Sequence, residues 1–210
     1  MKKSRIATLI VFFVLIPLTL IVGSRLSGRA FYVTSTLVIV ELLIPFFLAF
    51  EGRRPQAREL VVLAVMCALA VAGRVAIPIP SFKAIFGIIM IAGIAFGPES
   101  GFLVGAISAL ASNFFYSQGP YTPWQMMAYG AGGMLAGFVF ARGRLPRKPV
   151  VMGIFGFLAV AFFVGPLLDT CSVFLVMSRI SLKGAMAFYI SGFPVNLRQA
   201  VATAIVLLVL

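Results

Sequence analysis

Residues 81–137 read SFKAIFGIIMIAGIAFGPES, then GFLVGAISALASNFFYSQGP, then YTPWQMMAYGAGGMLAG. Two short apolar segments flank a tight GPESG turn, residues 97–101. A polar, aromatic loop follows at residues 113–125, and a glycine-rich segment begins after it. The apolar runs show no period-2 alternation of the kind a membrane β-barrel requires. They read as helices, with polar groups concentrated in one loop between them.

The rest of the chain repeats this pattern. Of 210 residues, 62% are hydrophobic and only 10% charged, against roughly 45–50% and about 25% in a soluble domain. The excess is spread along the chain in blocks, and ~20 apolar residues span a bilayer. The composition predicts an all-α polytopic membrane protein. Eight segments are expected: residues 6–23, 30–50, 59–76, 82–96, 101–115, 123–141, 150–177 and 185–210. The fourth and fifth are about 15 residues each, which rise only ~22 Å. That suits a compact bundle with a cavity. The N-terminal MKKSR and its apolar run resemble a signal peptide, but no A-x-A-like site follows, so an uncleaved first membrane helix is expected.

The formal net charge is +12. The cations cluster in the gaps between apolar blocks, which points to membrane topology and not to nucleic acid. Lys2, Lys3, Arg5, Arg53, Arg54, Arg58, Arg142, Arg144, Arg147 and Lys148 fall on one side, ten in all; Arg25, Arg29, Arg74, Lys83, Arg179 and Lys183 fall on the other, six. The richer side is expected to be cytoplasmic. Both termini then lie on the cytoplasmic side of the cell membrane, and residues 113–122 face out. The clearest boundary is EGRRPQAR, which separates an N-terminal helix pair (residues 1–57) from a core (residues 58–210).

The chain has no histidine, which excludes Ser-His and Cys-His catalysis and His-ligated zinc. Cys67 and Cys171 sit inside apolar segments and read as small packing residues, not a disulfide. No metal site, cofactor or enzyme activity is expected.

Four groups of residues stand out. Ala64, Ala68 and Ala72 recur at i, i+4, i+8, a small-residue face that lets another helix backbone approach closely. That other helix belongs either to this chain or to a partner. Gly101, Gly105 and Ala109, with Gly133 and Gly137, read as packing inside the chain. In the outer loop, Asn113, Tyr116, Gln118, Tyr121, Trp124 and Gln125 put amides beside aromatics, the makings of a pocket that stacks a ring and reads its polar edge. The absence of charge there suggests a neutral or zwitterionic ligand, although Trp and Tyr also favour membrane interfaces. Finally, Asp169 and Arg198 are charges well inside apolar segments. Such charges face a cavity or each other. Arg198 neighbours Asn196 and Gln199, a polar patch at depth just after Pro194. Glu41 is a third intramembrane charge, with Arg74 or Arg198 as its conceivable partner.

These residues together resemble the substrate-binding S component of energy-coupling factor (ECF) transporters, which take up vitamins. The resemblance covers residues 57–210. It rests on the Ala64/Ala68 pair, AGIAFGPESGFLVGAISALASNFF, the loop running into TPWQ, and FPVNLRQ. It implies a six-helix S-component bundle, here preceded by two additional transmembrane helices. It implies an outward-opening ligand site built from the later helices and capped by the loops after the first, third and fifth core helices. It also implies docking of the alanine face onto a membrane coupling subunit driven by two cytosolic ATPases. No G-x-x-x-x-G-K-[ST] occurs in this chain, so it is not itself the ATPase. Asn196 matches the family's Pro-x-Asn-Leu motif, a ligand-contacting position in some members. Gln199 stands where some carry a lysine. The TPWQ loop looks most like members associated with cobalamin or its precursors; riboflavin, queuosine-type bases and folate stay open. The competing readings are a stand-alone secondary transporter, a membrane enzyme and a cell-shape scaffold. No inverted repeat, catalytic acid cluster or histidine speaks for the first two, and the polar outer loop speaks against the third.

Overall fold

The computed structural model describes residues 10–15, 18–19, 22, 30–52, 56–141, 143–177 and 181–210. Of the topology charges, Lys2, Lys3, Arg5, Arg25, Arg29, Arg53, Arg54, Arg142 and Arg179 lie outside them, as does half of the expected first segment, Pro17 included.

Among the described residues the chain is helical, with no strand. A short π-helical turn at Val11–Leu15 precedes α1, Ala30–Gly52. The core follows as α2 (Ala57–Val75), α3 (Ile85–Phe96), α4 (Pro98–Tyr116), α5 (Thr122–Phe140), α6 (Pro149–Val176) and α7 (Leu182–Val209). The fold is the all-α bundle that composition predicts.

The GPESG turn sets the register of the centre. Gly97 ends α3 at φ 98° and ψ 171°, a conformation only glycine adopts readily, and Pro98 starts α4 at once. Because α4 begins at Pro98, it has 19 residues, ~28 Å, and is not the short segment of residues 101–115 that apolarity alone suggests. The apolar count misses its first turn, which carries Glu99. α3 is truly short, 12 residues or ~18 Å, because residues 76–84 run non-helically before it. It is apolar all round and buried. Ile85, Ile89, Met90 and Ala92 are each at most 1% exposed, the signature of a helix enclosed by others.

α4 and α5 pack backbone to backbone, as the glycine spacing suggests. A Cβ at Gly101 would stand 2.5 Å from the Gly133 carbonyl oxygen, so neither position admits a side chain without separating the helices. α1 lies on the flank formed by α4, α5 and α6, with Leu43 and Phe47 against Phe102 and Ala106. α2 buries Leu63, Cys67 and Ala70 and leaves its other face open. On that open face Ala64, Ala68 and Ala72 lie exposed among Val61, Val65 and Leu69.

α6 and α7 are each 28 residues, long and apolar enough to cross a bilayer. α6 contains a π-helical turn at Val160–Val164, where the Gly165 N–H reaches back to the Val160 carbonyl. Pro166 follows and has no N–H to give, so the local register shift accompanies a missing ladder bond.

Candidate functional site

A polar cavity opens at the end of the bundle where α2 finishes, α3 starts and α4 finishes. Its volume is about 270 Å³. Arg74, Lys83, Tyr116, Tyr129, Asn196 and Gln199 supply its polar wall, and Ile85, Phe86, Val160, Leu168 and Val195 its apolar one. The π-turn of α6 thus shapes one side, since Val160 and Gly165 both border the space. Ser81, also at the rim, holds φ 59°. A left-handed non-glycine residue is a strained position of the kind found at binding sites.

Arg74 organises this wall. Its Nη1 donates to Asn113 Oδ1 at 2.9 Å and to Ser112 Oγ. Its guanidinium stands 4.9 Å from the centre of the Tyr116 ring and 5.6 Å from that of Tyr129. The Tyr116 hydroxyl donates to the Arg74 carbonyl at 3.0 Å. Tyr129 is in turn set edge-on to Phe86, centroids 4.5 Å apart. The two aromatic faces attract the guanidinium in this partly dry site.

The outer-loop residues turn out to stand behind this wall. Asn113 is fully buried and bonds three ways: Oδ1 to Arg74, Nδ2 to Thr122 Oγ1 at 3.2 Å and to Gln125 Oε1 at 2.8 Å. Thr122 Oγ1 donates to Gln118 Oε1, and Gln118 Nε2 donates to the Leu110 carbonyl. Tyr121 donates to the Ser117 carbonyl at 2.8 Å. Asn113, Gln118 and Gln125 therefore brace Arg74 and the loop. Of the six loop residues only Tyr116 borders the cavity. Trp124 faces the other way. It is buried among Ile39, Cys171 and Phe174, with the Phe174 ring stacked at 5.6 Å. Its place is the junction of α1, α5 and α6, because α5 turns that face outward from the bundle centre.

On the opposite wall, Asn196 and Gln199 lie side by side, three residues apart on α7. Asn196 Nδ2 donates to Asp169 Oδ2 at 2.7 Å, and Gln199 Nε2 donates to the Lys83 carbonyl at 2.7 Å. Asp169 does not pair with Arg198. Arg198 points to the exposed side of α7, where its Nε donates to the Pro194 carbonyl at 3.3 Å. One helical position separates it from Gln199, and that 100° rotation takes it out of the site. Glu41 likewise pairs with neither Arg74 nor Arg198: Thr19 Oγ1 donates to its Oε1 at 2.6 Å, and its Oε2 is buried with no hydrogen-bond partner among the described residues.

Sequence reasoning missed Arg74, Lys83, Ser81 and Tyr129. Arg74 and Lys83 were read as topology charges at helix ends. Their signal was that both lie on the charge-poor side with no acid near in sequence. The wall they form is cationic, with no Asp or Glu among the described residues that line the cavity. The uncharged outer loop gave the opposite impression.

Comparison with known proteins gives one match. The family model described as ECF-type riboflavin transporter, S component, matches residues 55–210. No curated protein and no solved structure matches the chain.

Proposed function

The chain belongs to the S-component family of ECF-type riboflavin transporters, and from that premise we propose that its cavity captures a compact, planar, flavin-like heterocycle for import. As an S component it is a membrane protein and the substrate-binding subunit of an ECF transporter, working with an ECF coupling module. The observation that carries the substrate reading is the cavity itself. It is small, about 270 Å³, with aromatic faces on one side and paired amides on the other. Sites of this size enclose a small ring ligand. A corrin with its nucleotide loop is several times bulkier, so the cobalamin-related alternative requires a much wider site and ranks second. Arg74 and Lys83 supply donors and positive charge that suit a ring edge rich in carbonyl oxygens, or a ligand bearing an anion.

The open face of α2 supports a docking role. Ala64, Ala68 and Ala72 are exposed together on one stripe, and α1 packs against α4, α5 and α6. A coupling subunit helix can approach that stripe closely. In this reading two cytosolic ATPases drive delivery, and both termini are cytoplasmic. The cavity end of the bundle then faces out, as the excess of Lys and Arg at the other end favours.

The test is mass spectrometry of the small molecule that copurifies with the full chain expressed alone. A flavin supports the reading, and a corrinoid moves it to the alternative. Uptake into vesicles by this chain without any ATPase would replace both with a stand-alone transporter.

A further inference from the structure

The Asn196 amide has two chemically different ends, and the structure commits one of them. Nδ2 donates to Asp169 Oδ2 at 2.7 Å. An ionised carboxylate has acceptors only, so it can hold the NH₂ end and never the carbonyl end. Space for this pair is built in by two glycines. A side chain at Gly192, one turn before Asn196, would collide with the Asp169 carboxylate, and one at Gly165 would collide with the Asn196 amide. Asn196 Oδ1 takes no hydrogen bond among the described residues, yet it is not among the buried unpartnered atoms, so it is open to the cavity that Asn196 lines. Gln199 repeats the arrangement. Its Nε2 is held by the Lys83 carbonyl at 2.7 Å, which leaves Oε1 as its free end.

We propose that Asp169 is a positioning residue: by holding the Nδ2 end of Asn196 it turns the amide oxygen to the cavity, so that the site selects a ligand edge carrying an N–H donor. This rests on the flavin-like reading of the cavity and deepens it. Two fixed carbonyl oxygens, on Asn196 and Gln199, face a ligand; the donors come from Arg74 and Lys83 across the space. That division reads a ring edge in which an N–H sits between carbonyls, an imide, and rejects the same ring with the hydrogen replaced. A site built around fixed buried polar groups discriminates strongly against the analogue that leaves them unpaired. Asp169 does not itself border the cavity, so its effect passes entirely through the Asn196 amide.

The experiment titrates riboflavin and 3-methylriboflavin, in which a methyl replaces the imide hydrogen, into the purified full chain. Flavin fluorescence quenching is the readout. The native protein is expected to bind riboflavin at least tenfold more tightly. Asp169→Asn keeps the shape but can present either end to Asn196, and the ratio is expected to fall at least threefold. Asp169→Ala, if it folds, should lower it further. A merely structural Asp169 would weaken both ligands together and keep the ratio, and that result overturns the proposal. A native ratio near one overturns it too, while leaving the flavin reading intact. If neither flavin binds, the substrate reading fails and this inference fails with it.

Discussion

Replacing Arg74 with methionine tests how the cavity wall is held. The change removes the donor to Asn113 Oδ1 and Ser112 Oγ, and it removes the cation from the Tyr116 and Tyr129 faces. Asn113 is fully buried, so its oxygen loses a charged partner and finds no water. Stranding a buried acceptor costs about 1–3 kcal/mol. Two cation–π contacts at partly exposed sites contribute about 0.5–1 kcal/mol each. The methionine side chain recovers part of the packing, so the net loss is expected at about 2–4 kcal/mol. For a domain of this size that lowers Tm by roughly 4–16 °C, read from Trp124 fluorescence in a detergent scan. The double variant Arg74→Met with Asn113→Leu removes both partners of the bond together, which is far less costly than stranding one. It should recover at least half of the lost Tm, whereas ligand affinity should stay at least tenfold weaker in both variants. An unchanged Tm in Arg74→Met would refute the bracing role. A double variant less stable than the single one would show that Asn113 serves Thr122 and Gln125 more than Arg74.

Three further outcomes follow from the packing. Gly101→Val should destabilise by more than the ~1–3 kcal/mol usual for overpacking, because the added carbons meet the Gly133 backbone and not a movable side chain; a thermal scan of the variant measures it. Trp124→Phe should leave ligand affinity within about twofold while lowering Tm, since Trp124 packs on Phe174 and Ile39 away from the cavity; a tenfold loss of affinity would return it to the site. Ala68→Trp should abolish capture of the coupling subunit on an affinity column and leave ligand binding untouched, because Ala68 is exposed and lies on the face of α2 that no core helix covers.

The fold was largely legible because membrane burial writes itself into composition. Blocks of apolar residues marked α1 to α7 to within a few residues, and glycines at 101 and 133 marked a contact that needs bare backbone. The start of α4 was lost because a helix can begin on Pro98 and Glu99, which no apolar count includes. The site was legible only in half. Asn196 and Gln199 line the cavity, where a polar patch deep in an apolar helix is costly. The outer loop was over-read. Asn113 and Gln125 are polar because they hold Arg74, and a list of residue types does not separate a brace from a wall. Arg74 itself was hidden by its position. A cation at a helix end has an ordinary explanation in topology, and only its contacts with Tyr116, Tyr129 and Asn113 show that it turns inward. Arg198 illustrates the reverse error. It sits between two inward residues in sequence, but one position on a helix is 100° of rotation, and it points away.

The most direct test of the central claim is a calorimetric titration of riboflavin into the purified full chain, stripped of any copurified molecule. The account predicts saturable binding of one flavin per chain, lost or strongly weakened in Arg74→Met and Asn196→Ala and retained in Trp124→Phe. Absence of binding in the native protein, or binding untouched by both cavity variants, would contradict it.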